Sequence, residues 1–155
     1  MIIRRANLHD IDSINLLLKQ VHKIHFEKRP DIFKPNTTKY TNQELTDILC
    51  NNQTPVYVAV LDEKICGYVF CEYKTIKDNT LLCDMKSLYI DDFCVDENCR
   101  GKHIGTSLYN YVKYVAKQNE CYRIDLNVWT LNNDAFEFYK KLGMTPLKTT
   151  MEEIL

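Results

Sequence analysis

Two hydrophobic rhythms alternate along the chain, one repeating every second residue and one every third or fourth. Residues 1–5 alternate weakly and predict a short strand. Apolar positions Ile11, Ile14, Leu17, Leu18 and Val21 then fall at helical spacing, with Asp10 placed to cap the helix. The stretch 22–36, HKIHFEKRPDIFKPN, contains Pro30 and Pro35, which remove backbone donors, and predicts an ordered loop or broken helix. A second helix is expected over about 41–49. Residues 55–61 and 64–74 are β-rich runs on either side of Asp62-Glu63, a hairpin signal, and 82–95 adds a third strand to the meander. A helix follows over 104–116, with apolar or aromatic residues at 104, 108, 111, 112, 115 and 116. The segment 122–129, YRIDLNVW, alternates as a strand. Residues 133–142 predict a short helix stopped by Gly143 at its C′ position, and 144–155 one or two closing strands. This order, βααβββαβαβ with a late strand–helix–strand unit, predicts an α/β sheet covered by helices on both faces. No repeat, low-complexity tract or linker interrupts it, so residues 1–155 read as a single domain.

Composition narrows the function classes. A chain of 155 residues buries roughly two thirds of its unfolded surface, enough for one core. Net charge is -1, which gives no global basic field for nucleic acid or an anionic membrane, so any anion site must be local. The seven cysteines are odd in number, lie in apolar runs and form no CxxC pair, as expected of reduced thiols. The N-terminal stretch MIIRRANLHDID has no apolar leader pattern, and no window approaches the ~18 apolar residues of a membrane span. The expectation is a cytoplasmic protein with neither nucleic acid nor membrane as partner, and no metal site.

The most informative stretch joins the third strand to the following helix. After SLYIDDFCVDEN comes CRGKHIGTSL: Arg100, Gly101, Lys102, His103, Ile104, Gly105 and Thr106. A helix N-terminus offers unpaired N–H groups and partial positive charge, and glycine lets a bulky anion approach the backbone. Arg100 and Lys102 add charge, and the Thr106 hydroxyl lies in the first turn. The spacing fits neither a P-loop nor GxGxxG. Residue types alone leave both a phosphate site and an ordinary basic helix cap open.

In its wider context the stretch resembles the GNAT acetyltransferase superfamily. Arg100, His103 and Gly105 occupy the positions of its Arg/Gln-x-x-Gly-x-Gly/Ala signature, with His103 in place of the first glycine. Further on, Asn132, Ala135, Phe138, Tyr139 and Leu142-Gly143-Met144 match the family pattern Asn-x-x-Ala-x-x-x-Tyr-x-x-x-Gly-Phe/Met. The resemblance covers roughly residues 55–146. It implies a GNAT fold: a mixed, mostly antiparallel sheet with a splayed central pair of parallel strands. It also implies acetyl-CoA as cofactor, its pyrophosphate on Arg100–Thr106 and its pantetheine along Phe93, Cys94 and Val95, with Asn132 and Tyr139 completing the site. Tyr139 matches the tyrosine that contacts the coenzyme sulfur and acts as general acid in several members.

Ile90-Asp91-Asp92-Phe93 is similar to the IEDF-like stretch of spermidine/spermine acetyltransferases, which makes Asp91 the candidate base, directly or through water. Strand alternation puts Asp91 and Asp92 on opposite faces. By the same resemblance the first helix–loop–helix region binds the acceptor, which brings in His22, His25, Glu27 and Asp31. Glu72, Asp84 and Tyr89 are candidates for recognising a cationic substrate. Cys94 allows a covalent relay or a packed thiol. The reading is an N-acetyltransferase in which a small primary amine attacks the thioester directly, a polyamine or diamine first. Protein termini, lysine or aminoglycosides are alternatives, as is a non-catalytic acyl-CoA-binding module, and a homodimer is compatible with the resemblance.

Overall fold

The computed structural model describes all 155 residues. Strand β1 (Ile2–Arg5) leads to helices α1 (Ile11–Lys28) and α2 (Asn42–Cys50). The meander β2 (Val56–Leu61), β3 (Lys64–Ile76) and β4 (Met85–Val95) comes next, then α3 (Ile104–Gln118), β5 (Arg123–Leu126) and α4 (Asn133–Lys141). The five strands form one sheet in sequential order, antiparallel throughout except for the parallel pair β4–β5.

Strand alternation divides the core between the two faces. Tyr68, Phe70 and Cys94 pack with Ile14, Leu17 and Leu18 of α1 and Leu45 of α2. On the opposite face Val69, Leu88 and Ile90 pack with Ile104, Leu108 and Val112 of α3. Gly67 marks the tightest point of β3 against β4, where a Cβ would stand 2.7 Å from the Cys94 carbonyl oxygen.

Five expectations change. Helix α1 runs through His22, His25 and Glu27 to Lys28, because Pro30, not the histidine-rich stretch, sets its limit. Asp10 sits at the N-cap of α1 without making a side-chain cap bond. It turns back to accept from the Asn7 N–H at 2.8 Å and from both terminal nitrogens of Arg4 at 2.7 and 2.9 Å. Residues 144–155 form no strand: Pro146 lacks a donor, and Leu147, Met151 and Ile154 stay exposed. The parallel pair therefore lies at the end of the sheet with β5 as edge strand, not at its centre. Finally, β5 stops at Leu126, three residues short of Trp129.

That early stop shapes the molecule's main feature. Pairing between β4 and β5 runs from Ser87↔Arg123 to Ile90↔Leu126 and ends, while β4 continues to Val95. From Asp91 onward β4 has a free edge facing the gap where β5 has left the sheet.

Candidate active site

The gap opens at a break in strand register. Along β3–β4 the partners run Val69↔Phe93 and Phe70↔Asp92, then jump to Cys71↔Ile90, leaving Asp91 as an extra residue. A bulge of this kind re-aims the side chains next to it. Asp91 and Asp92, expected on opposite faces, both reach the same ammonium. Lys39 Nζ lies 2.7 Å from Asp91 Oδ2, 3.1 Å from the Asp91 carbonyl oxygen and 3.4 Å from Asp92 Oδ2. The inserted residue cancels the alternation that would have separated the carboxylates.

The two acids differ in environment. Asp91 is one-third exposed; burial would raise its pKa, but hydrogen bonds donated by Lys39 and the Tyr40 hydroxyl outweigh it and hold the carboxyl below its ordinary range. Asp92 has a side chain only 10% exposed, and burial pushes its pKa up despite Lys39 and a 3.1 Å bond from the Tyr68 hydroxyl. Burial lowers the Lys39 pKa, yet the two carboxylates outweigh it and keep the ammonium above the ordinary lysine range. Asp92 is thus the more basic carboxylate, and the more enclosed.

Two further elements converge on Asp92. His25 of α1 is half-buried, its ring 5.2 Å from Phe33 and 6.3 Å from Trp129 between centroids. Burial lowers its pKa, with the Asp92 charge acting in the opposite sense. Tyr139 of α4 packs against Phe93 at 6.2 Å, and its hydroxyl has no hydrogen-bond partner in the protein. Burial, then the Asp92 charge, raises its pKa and keeps the phenol protonated. A Schellman closure fixes α4 just beyond it: Met144 N–H donates to the Tyr139 carbonyl at 3.1 Å and Gly143 N–H to Lys140 at 2.9 Å, with Gly143 at φ 89°.

At the other end of the free edge lies the basic turn. His103, the N-cap of α3, has φ 57° and ψ 16° and makes no side-chain cap bond, so the first N–H groups of the helix at Ile104, Gly105 and Thr106 remain uncapped. Gly101 has φ 77° with nothing within 4 Å of a Cβ position, and Arg100 and Lys102 form no ion pair. Gly105 is held tightly, since a Cβ there would meet the Phe138 ring at 3.1 Å. Uncapped donors, two unmatched cations and open space fit a pyrophosphate.

Other candidates have structural employment. Asn132 caps α4 through a 3.4 Å bond from the Ala135 N–H. Cys94 is buried on the α1 side, its thiol 3.7 Å from the Leu17 carbonyl and pushed up to about 12 by burial, which makes a covalent relay unfavourable. Glu27 pairs with Lys23, Asp31 with Arg29, and Glu72 with Lys74. The Tyr89 hydroxyl accepts from Asn127 at 3.1 Å, and Asp84 organises the preceding loop by accepting from the Asp78 N–H. His22 bonds to the Lys34 carbonyl at 2.7 Å. A recess of about 460 Å³ between α1 and the start of α2 shares Tyr40 with this site but none of its carboxylates. Lys39, Tyr40, Tyr68 and the aromatic wall of Phe33 and Trp129 were not among the sequence candidates. Only a prediction of the bulge would have brought them together.

Comparison with known proteins shows the family. The model of the Acetyltransferase (GNAT) family matches residues 18–144. The chain belongs to the GNAT acetyltransferases. Members of that family use acetyl-CoA. Among curated proteins the chain is 29% identical over 112 residues to glucosamine 6-phosphate N-acetyltransferase 1 of Dictyostelium discoideum, an alignment that spans 66% of either protein. Among solved structures, a tetramutant of the BH1408 protein of Bacillus halodurans is 33% identical, with a TM-score of 0.97 and full coverage of both chains. The aminoglycoside N-acetyltransferase AAC(6')-Iy, solved in complex with CoA, shares the fold at a TM-score of 0.72, 14% identity and coverage of 99% and 98%. No helix of this GNAT chain is long and apolar enough to cross a membrane.

Proposed function

We propose that this chain is an N-acetyltransferase moving an acetyl group from acetyl-CoA to the primary amine of a small molecule by direct attack. One observation carries the reading: the bulge that ends β4–β5 pairing gathers Asp92, Lys39, His25 and Tyr139 at the head of a free strand edge whose other end is an uncapped, cationic helix start. The name of the Dictyostelium relative, an acetyltransferase of an amino sugar, supports an amine acceptor.

When bound, acetyl-CoA supplies an activated acyl thioester. Arg100, Lys102 and the N–H groups from Gly101 to Thr106 hold the pyrophosphate by charge-assisted hydrogen bonds. The free edge of β4 at Phe93, Cys94 and Val95 offers backbone groups to the pantetheine amides, as a neighbouring strand would. Asp92, the more basic carboxylate, accepts the proton that an alkylammonium must lose before it can attack. Asp91 has a different task here, because its bonds from Lys39 and Tyr40 make it a poor proton acceptor while fixing Lys39 in place. The Tyr139 hydroxyl, protonated and without a partner, would be the donor to the thiolate that acetyl-CoA releases. His25, Phe33 and Trp129 wall the acceptor side.

The test is release of free CoA from acetyl-CoA, followed with a thiol reagent, over a panel of amino sugars, aminoglycosides, polyamines, amino acids and short peptides. Acceptor-dependent release with one class supports the reading and names the acceptor. Calorimetric binding of acetyl-CoA without release for any acceptor would overturn it in favour of a binding module.

A further inference from the structure

The sequence suggested that acids on the acceptor side receive a polycation, but the structure fills that role internally. The seat between the two carboxylates holds the Lys39 ammonium, 2.7 Å from Asp91 and 3.4 Å from Asp92, with the Tyr40 ring 5.4 Å away. Lys39 comes from the loop between α1 and α2 and crosses 52 residues of sequence to reach Asp91. Three of the other acids the sequence offered are also matched, Glu72 by Lys74 at 3.4 Å, Glu27 by Lys23 at 3.9 Å and Asp31 by Arg29 at 2.8 Å, and Asp84 accepts from the Asp78 N–H in the loop before β4. The remaining wall, His25, Phe33 and Trp129, is aromatic rather than acidic.

We propose that Lys39 is a specificity-determining residue: it supplies from the protein the cation that the Asp91–Asp92 pair requires, so that the acceptor enters as a monoamine rather than as a diamine or polyamine. This rests on the acetyltransferase reading above. The charge balance carries the argument. Two carboxylates and one lysine leave a single net negative charge at the bulge, which one acceptor ammonium neutralises. A diamine would bring a second ammonium into a half-buried site already at balance, where like charges are costly. An amino sugar or other compact monoamine fits the count and can stack its apolar face on the aromatic wall.

The experiment compares kcat/KM for matched acceptors, butylamine against 1,4-diaminobutane and glucosamine 6-phosphate against spermidine, in wild type, Lys39→Ala, Lys39→Met and Lys39→Arg. Wild type and Lys39→Arg are expected to favour monoamines. Lys39→Ala and Lys39→Met leave the acid pair without its cation, and the diamine-to-monoamine ratio should rise at least tenfold. Added trimethylammonium, a cation that cannot form an amide, should restore monoamine turnover in Lys39→Ala, a rescue that a lysine of purely structural importance would not show. Thermal melts identify variants that fail to fold, and if both neutral variants do, the wild-type ranking of monoamines against diamines decides. A wild type that prefers diamines, or a ratio unchanged in both neutral variants, overturns the proposal while leaving the acetyltransferase reading intact. Absence of CoA release with every amine overturns that reading as well.

Discussion

The basic turn is made from seven consecutive residues, Arg100 to Thr106, and works mostly through backbone N–H groups, whereas the acceptor end takes Asp92 from β4, Lys39 from the α1–α2 loop, His25 from α1 and Tyr139 from α4. One region is local and tolerant of side-chain change, because a helix N-terminus attracts anions whatever residues compose it. The other depends on a single inserted residue, since without the bulge at Asp91 the two carboxylates would part to opposite faces and the Lys39 bridge would break. Substitutions at the acceptor end should therefore remove chemistry, while substitutions in the turn should only weaken binding.

The sharpest test separates the two aspartates. Asp92→Asn keeps the shape and the Tyr68 hydrogen-bond partner but removes the proton acceptor, and kcat/KM for the amine should fall about 10²–10⁴-fold. Asp91→Asn should cost less than about tenfold, because that carboxylate orients Lys39 rather than taking the proton. Comparable losses in steady-state kinetics would erase the distinction drawn from burial. The pH profile gives a second reading of the same pair. Burial raises Asp92 above an ordinary carboxylate, and the base works ionised, so the acid limb of kcat/KM should lie at higher pH than the titration of an ordinary carboxylate. Since folding favours the protonated form of a carboxylate whose pKa is raised, ionisation costs stability as pH rises through that value. Asp92→Asn should accordingly not lower Tm at neutral pH, which keeps its kinetic loss from being mistaken for unfolding.

Next in size is Tyr139→Phe. The ring packs on Phe93 and Phe138, and these contacts survive the loss of the hydroxyl. Turnover should fall about 10–10²-fold with little change in the KM for acetyl-CoA. A raised KM with unchanged kcat would move Tyr139 from proton donation to cofactor packing.

How much of this was legible beforehand follows the same division. Periodicity located α2, α3, α4 and four strands closely but missed the last two turns of α1, and the turn could be read from adjacent residues because its chemistry is contiguous. The Tyr139 helix was legible too, down to Gly143 as its stop, since caps are local signals. The acceptor end was not. Strict alternation assigned Asp91 and Asp92 to opposite faces, and no property of Ile90-Asp91-Asp92-Phe93 by itself announces a bulge. Lys39 looked like one surface lysine among many, because an ion pair across 52 residues exists only after the sheet has formed. The closing strands failed for a related reason: whether residues 144–155 pair with a sheet edge is a long-range matter, and in the folded chain they pair with none.

Arg100→Ala probes the other region. The side chain is exposed and without an ion pair, so its contribution should be about 1 kcal/mol, a roughly five- to tenfold rise in the KM for acetyl-CoA with kcat preserved. Because exposed charge is screened, the difference from wild type should shrink as salt is raised from 0.05 to about 0.5 M. A drop in kcat instead would mean that the turn contributes to the chemistry and is not merely an anchor.

The smallest effect is expected at His103, where the family signature has glycine. The residue already holds the left-handed backbone conformation that glycine would adopt, at φ 57°, so the turn keeps its geometry and carries strain of about 1–2 kcal/mol. His103→Gly removes that strain but adds freedom to the unfolded chain, which offsets about 0.5–1 kcal/mol of the gain. The net result should be a rise in Tm of about 1–3 °C, with acetyl-CoA affinity by calorimetry unchanged within about threefold, because the donated N–H groups stay where they are. An affinity gain of tenfold or more would show instead that the imidazole crowds the pyrophosphate, and that the turn depends on side-chain size as strictly as the acceptor end depends on its bulge.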